Sequence, residues 1–185
     1  MVCSKTATVA LTSTQIGAIG ENLLVNAVMK SSDGRLTAFQ PVADDDGLDV
    51  LFFDKLTGNS LALQLKCRTV TLFKRGTKER GNSVHFEVRK GTFSEVRRAY
   101  LVAGLLNEEL THFLTTWLVP MSELPKIARS GNEKWVMRAN RAATSQDRWT
   151  PYRCHSVDDL VRRVIALCEM KSRSQFSSVG QQKRP

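Results

Sequence analysis

No stretch of this chain approaches the roughly 18 consecutive apolar residues that a membrane span needs, so an integral membrane protein is not expected. The segment Ala7 to Leu11 is too short for the apolar region of a signal peptide. Cysteine is sparse: Cys3, Cys67, Cys154 and Cys168 are scattered with no CxxC pair, which argues against a zinc ribbon or a disulfide scaffold. A reducing, cytoplasmic location is expected. His85, His112 and His155 fall in different predicted elements and form no ligand pattern. There is no internal repeat and no local signature of a serine or cysteine nucleophile. The acidic run does not make a calcium loop either. With Gly47 at the loop glycine, the first ligand would be Val42 and the closing glutamate Phe53.

What remains is an ordinary globular composition over 185 residues, 42% hydrophobic and 24% charged, which fits one domain. The charge is less ordinary, with a formal net of +9. Residues 1–65 carry four basic and seven acidic side chains, whereas residues 66–98 carry ten basic and three acidic. Residues 99–160 balance at seven each, and residues 161–185 hold six basic against one acidic. An acidic cluster beside a basic segment suits a cation site acting on a polyanion, since basic groups attract phosphates and carboxylates hold the metal. A solvated basic surface with no partner is the alternative.

Apolar periodicity predicts a helix from about Ser13 to Lys30, opened by a Thr12/Gln15 capping box and ended by the Ser31-Ser32-Asp33-Gly34 turn. Glu21 lies in that helix but outside its apolar stripe. A strand from Arg35 to Val42, the loop Asp44-Asp45-Asp46-Gly47 and a strand from Leu48 to Asp54 follow. The turn at Lys55–Asn59 returns the chain along Ser60 to Val70. Lys74 to Asn82 reads as a polar, basic loop. Further strands are expected over Ser83–Lys90, Tyr100–Leu106 and His112–Val119, with a short helix capped by Ser122 and a small edge strand over Lys134–Arg138. A final helix starts after Ser156, and the chain from Ser172 reads as a disordered basic tail, leaving one domain over residues 1–171.

The chemistry concentrates in three of these elements: Glu21 on the helix, Asp49 opening a strand, and Gln64 with Lys66 on its hairpin partner. Period two in a strand puts Gln64 and Lys66 on one face. Mg²⁺ takes oxygen ligands and keeps several waters, so one or two carboxylates are enough. Asp49 supplies one ligand, the Gln64 amide oxygen and the Leu65 main-chain carbonyl could supply neutral ones, and Glu21 could reach the site directly or through water. Lys66 could orient a water or stabilise charge as a phosphodiester breaks.

In residue order and spacing this set resembles the PD-(D/E)XK nuclease superfamily. The matching pieces are Gly20-Glu21, then Asp46-Gly47-Leu48-Asp49, then Gln64-Leu65-Lys66, with 15 residues from Asp49 to Gln64. The resemblance covers about residues 13–70. It implies a restriction-endonuclease-like α/β fold, a central mixed sheet flanked by helices, and hydrolysis of DNA phosphodiesters with Mg²⁺, for which Mn²⁺ can substitute. The chain looks most like the subset with glutamine in place of the second acid. Gln64 removes one negative charge, so the site is expected to bind metal less tightly and to hold one ion rather than two.

Three classes of function remain open: a metal-dependent endonuclease, a nuclease-like DNA-binding module that cleaves weakly or not at all, and a structural protein whose basic face is incidental. Arg68, Lys74, Arg75, Lys78 and Arg80 are the candidate DNA-backbone contacts, with a solvated loop as the alternative. Arg97 and Arg98 could add to them. Glu21 could instead be a plain exposed helix residue, and Asp49 could pair with Lys66 with no metal between them. Trp149 and Tyr152 could stack on a base, although packing is the simpler role. An enzyme of this size cutting both strands would act as a homodimer.

Overall fold

A computed structural model describes residues 10–42, 47–92 and 98–179, so Asp44, Asp45, Asp46 and Arg97 lie outside the described residues. The described chain begins with helix α1 (Ser13–Ser31). Its start follows from sequence: the Thr12 hydroxyl accepts from the Gln15 N–H at 3.2 Å, and the Gln15 side chain accepts from the Thr12 N–H at 2.9 Å.

Strands β1 (Leu36–Phe39), β2 (Val50–Asp54), β3 (Ser60–Arg68), β5 (Tyr100–Leu106), β6 (Phe113–Pro120) and β9 (Arg153–Cys154) form a six-stranded sheet in the order β1-β2-β3-β5-β6-β9. The β3–β5 pair is parallel and the other neighbours are antiparallel, so the sheet is mixed. A second sheet has the order β4-β8-β7, from Ser83–Arg89, Lys134–Asn140 and Arg129–Ser130. The crossover that makes β3 and β5 parallel carries β4.

The two faces of the large sheet bury different layers. On one face Phe52, Leu61, Leu63 and Leu65 pack against Leu24 and Val28 of α1 and Leu160, Val161 and Val164 of α3 (Val157–Val179). On the other, Leu101, Ala103, Leu105, Trp117 and Val119 pack against the second sheet and Leu124 of the short helix α2 (Leu124–Ile127). Phe86 of β4 meets Trp117 of β6 edge to face, with ring centroids 5.9 Å apart. β5 is buried on both sides, which is why it reads as an unbroken apolar run. The expected architecture, a mixed sheet flanked by helices, is the one observed.

Three local expectations differ from the fold. β8 is the middle strand of its sheet rather than an edge, because Met137 and Ala139 bury themselves in the second core while β4 and β7 pair on either side. Ser122 makes no side-chain cap, since a 3-10 turn over Met121–Glu123 leads directly into α2. The segment after β3 is an ordered hairpin: Phe73 bridges Arg80, and Leu72 N–H donates to Ser83 O at 2.7 Å. α3 opens with the Asp159 N–H donating to the Ser156 hydroxyl at 3.1 Å, and its backbone is helical as far as Val179. Trp149 is buried in the second core, which is the packing role. No helix among the described residues is long and apolar enough to cross a membrane.

Candidate functional site

β2 pairs with β3 only over Ser60–Leu63, while β3 continues to Arg68 along β5. Beyond the end of β2, the chain that precedes it fills the gap. The Asp49 N–H donates to Leu63 O at 2.9 Å, and the Asp49 carboxylate accepts the Leu65 N–H at 2.5 Å. An extended residue presents its N–H and C=O to the same neighbour, so the Leu65 carbonyl leaves β3 on the Asp49 side. Asp49 is thus held against Leu63 and Leu65, the two β3 residues that flank Gln64.

Gly47 sets how closely this segment approaches. Its φ of +66° is a left-handed conformation, and a Cβ there would lie 2.9 Å from Gln64 Nε2 and 2.7 Å from Thr92 Cβ. Only glycine lets the backbone settle onto the Gln64 amide. Gln64 itself is 2% exposed, and its Oε1 is buried with no hydrogen-bond partner among the described residues. Leaving such an acceptor unmatched costs about 1–3 kcal/mol, so this oxygen marks a place where the folded chain is polar and incomplete.

Lys66 lies two residues on and shares the Gln64 face of β3, half-buried. The hydrogen bond described for the Asp49 carboxylate is to the Leu65 main chain. Glu21 approaches from the helix layer and is half-buried rather than fully exposed. Its neighbour Gly20 is pressed against β3, where a Cβ would meet Cys67 Sγ at 2.3 Å. The Cys67 thiol registers the convergence: burial and the negative charges of Glu21 and Asp49 push its pKa up to about 12, against the opposing pull of Lys66 and Arg68. That thiol is protonated at neutral pH and is a poor nucleophile.

Asp49 is therefore fixed on the Leu65 N–H, Gly47 lies against the Gln64 amide, and the charges of Glu21 and Asp49 both bear on the Cys67 thiol. Among the described residues no group of three or more His, Cys, Asp and Glu side chains forms a metal-ligand cluster. The donor set is all oxygen, the chemistry that suits Mg²⁺ or Mn²⁺, and the unmatched Gln64 oxygen leaves one acceptor ready.

The basic candidates separate on inspection. Arg68 Nε donates to His85 O at 3.0 Å, Lys74 pairs with Glu79 at 2.8 Å, and Arg80 donates to Thr71 O at 2.6 Å. Arg75 and Lys78 are exposed on the hairpin with no side-chain partner among the described residues. Sequence reasoning passed over Thr92, which packs on Gly47 from the far end of the crossover, and Phe73, just before the basic stretch. An aromatic bordering eight mostly polar, charged residues was the available signal for the second; nothing local signals the first.

This fold is a restriction-endonuclease-like one. Among solved structures, the chain is similar to a bacterial homing endonuclease, I-Ssp6803I, with a TM-score of 0.53 and 16% identity over 87% of this chain and 99% of that one. It also matches a Holliday junction resolvase, Hjc from Archaeoglobus fulgidus, with a TM-score of 0.36 and 9% identity over 63% of this chain and 86% of that one. No protein-family model and no curated protein sequence matches the chain.

Proposed function

We propose that this chain is a DNA-binding module of the nuclease fold, with a metal site depleted by one charge that makes phosphodiester cleavage weak or absent. The observation that carries this reading is Gln64, a neutral amide buried where the resemblance expects a second acid. The likeness in fold to a homing endonuclease and the +7 balance of residues 66–98, ten basic against three acidic, support DNA as the polyanion.

In this reading Asp49 is the principal ligand of a divalent ion, Gln64 and the Leu65 carbonyl are neutral ones, and Glu21 is auxiliary. Mg²⁺ or Mn²⁺ held there would supply positive charge against a phosphodiester oxygen. Lys66 donates hydrogen bonds to the same phosphate and offsets charge as the bond breaks. Arg68, Lys74, Arg75, Lys78 and Arg80 steer the backbone toward it.

A second reading, a fully active Mg²⁺-dependent endonuclease, is favoured by one observation: the Gln64 oxygen, on the strand residue next to the Leu65 that Asp49 holds, is buried with no partner among the described residues and has the polarity a ligand needs. Plasmid nicking with Mg²⁺ and Mn²⁺ separates the two. The DNA-binding reading predicts slow nicking at protein excess or none, with a gain in Gln64→Glu. Multiple turnover by the wild type, lost in Asp49→Ala and Lys66→Ala with DNA binding kept, would establish the enzyme instead.

A further inference from the structure

The hairpin between β3 and β4 has features that backbone attraction alone does not use. It leaves the sheet directly after Arg68, two residues past Lys66, and its two arms are tied together. Lys74 N–H donates to Glu79 O at 2.9 Å, Gly81 N–H donates to Leu72 O at 2.8 Å, and Gly76 turns the tip with φ +75°. Residues 73–80 are all exposed. Phe73, at 52% exposure, is a large apolar side chain set in water, and Arg80 covers one face of its ring at 3.9 Å. The Arg80 guanidinium is fixed in turn by Thr71 O. A ring and a planar cation are thereby pre-positioned on one arm pair, where no core requires them.

Charge divides along the same hairpin. Lys74 is offset by Glu79, while Arg75 and Lys78 stand at the tip with no side-chain partner among the described residues. A two-stranded ribbon fits the major groove of B-DNA, and arginine and apolar side chains are among those that read base edges there. A ribbon carrying a fixed arginine–phenylalanine pair on its arms and exposed cations at its turn matches a groove lined by base edges and bordered by phosphates.

We propose that the hairpin 72–83 enters the groove of duplex DNA, with the Phe73–Arg80 pair meeting base edges and Arg75 and Lys78 meeting the flanking phosphates. This rests on the DNA-binding reading above and is independent of whether the chain cleaves. It assigns sequence preference to two residues and sequence-independent attraction to two others.

The test is selection from a random-sequence duplex library with the full chain in EDTA, followed by salt titration of affinity on the selected and on an unselected duplex. Wild type is expected to enrich a preferred sequence. Phe73→Ala should lose on the order of 10-fold of that preference while keeping the wild-type salt slope on unselected duplex. Arg75→Ala and Lys78→Ala should each reduce the slope of log affinity against log salt by about 0.9 and leave the preference intact. The proposal is overturned if Phe73→Ala enriches the same sequence equally well, or if Arg75→Ala and Lys78→Ala keep the full slope, because DNA then lies on another face. Wild type with no salt-dependent affinity for any duplex overturns the DNA-binding reading as well, and so is distinguishable from failure of the hairpin alone.

Discussion

The two ends of β2 treat an aspartate in opposite ways. At its close, Asp54 is fully buried and saturated: Arg35 donates through Nε at 2.9 Å and Nη2 at 2.7 Å, the Leu56 N–H at 3.0 Å and the Thr57 hydroxyl at 2.9 Å. Arg35 also reaches Glu169 of α3 at 2.8 Å, so the ion cluster ties the β1–β2 hairpin to the helix layer. Before the strand opens, Asp49 is half-buried with its carboxylate on the Leu65 N–H, and the next β3 residue back, Gln64, buries an amide oxygen with no partner among the described residues. The contrast separates two uses of polar groups. A network whose every acceptor is matched holds the fold, whereas one left incomplete costs stability and is ready for a ligand.

The largest effect expected from this contrast is at the saturated end. Arg35→Ala leaves a buried, uncompensated carboxylate and should lower unfolding stability by about 3–5 kcal/mol in urea titration. Loss of under ~1 kcal/mol would mean that the cluster is merely a surface pair. Acid comes next. The Arg35 guanidinium holds the Asp54 carboxyl down at about 2, from 3.8. A carboxyl depressed in the folded state contributes stability in full above its unfolded value, and that contribution is lost as pH falls from about 3.8 through about 2. The urea midpoint should therefore drop across that window in the wild type, and an Asp54→Asn variant should start lower and lack that part of the drop.

Smaller effects are expected at the incomplete end. Gly20→Ala drives a methyl into Cys67 and should cost about 1–3 kcal/mol by overpacking, while shifting Glu21 away from β3. A variant as stable as wild type would show that α1 does not need this close approach. Gln64→Glu should melt lower than wild type in EDTA, because it buries a charge, and should recover with Mn²⁺ by more than wild type does. Equal recovery in both proteins would place metal uptake elsewhere.

Much of this was legible locally. The α1 capping box, the alternation that puts Gln64 and Lys66 on one face, and the apolar run of β5 are all encoded within a few residues. The Thr92 contact on Gly47 was not, because it depends on where the crossover returns. Nor was the saturation of Asp54, whose partners come from Arg35, just before β1, and its own following turn, with Glu169 of α3 completing the cluster through Arg35. β8 looked like an edge strand because its neighbours β4 and β7 lie far apart in sequence. The hairpin's order was hidden for a different reason: it is made by backbone hydrogen bonds that a polar, glycine-bearing sequence does not advertise.

The most direct measurement of the central claim is anisotropy of a labelled duplex titrated with salt in EDTA, comparing wild type with Asp49→Ala. A DNA-binding module with a depleted metal site predicts steep salt dependence in both proteins, and an affinity in Asp49→Ala equal to or above that of wild type, since a carboxylate facing the phosphates is gone. Absence of salt-dependent binding in the wild type, with a folded protein by circular dichroism, would contradict it.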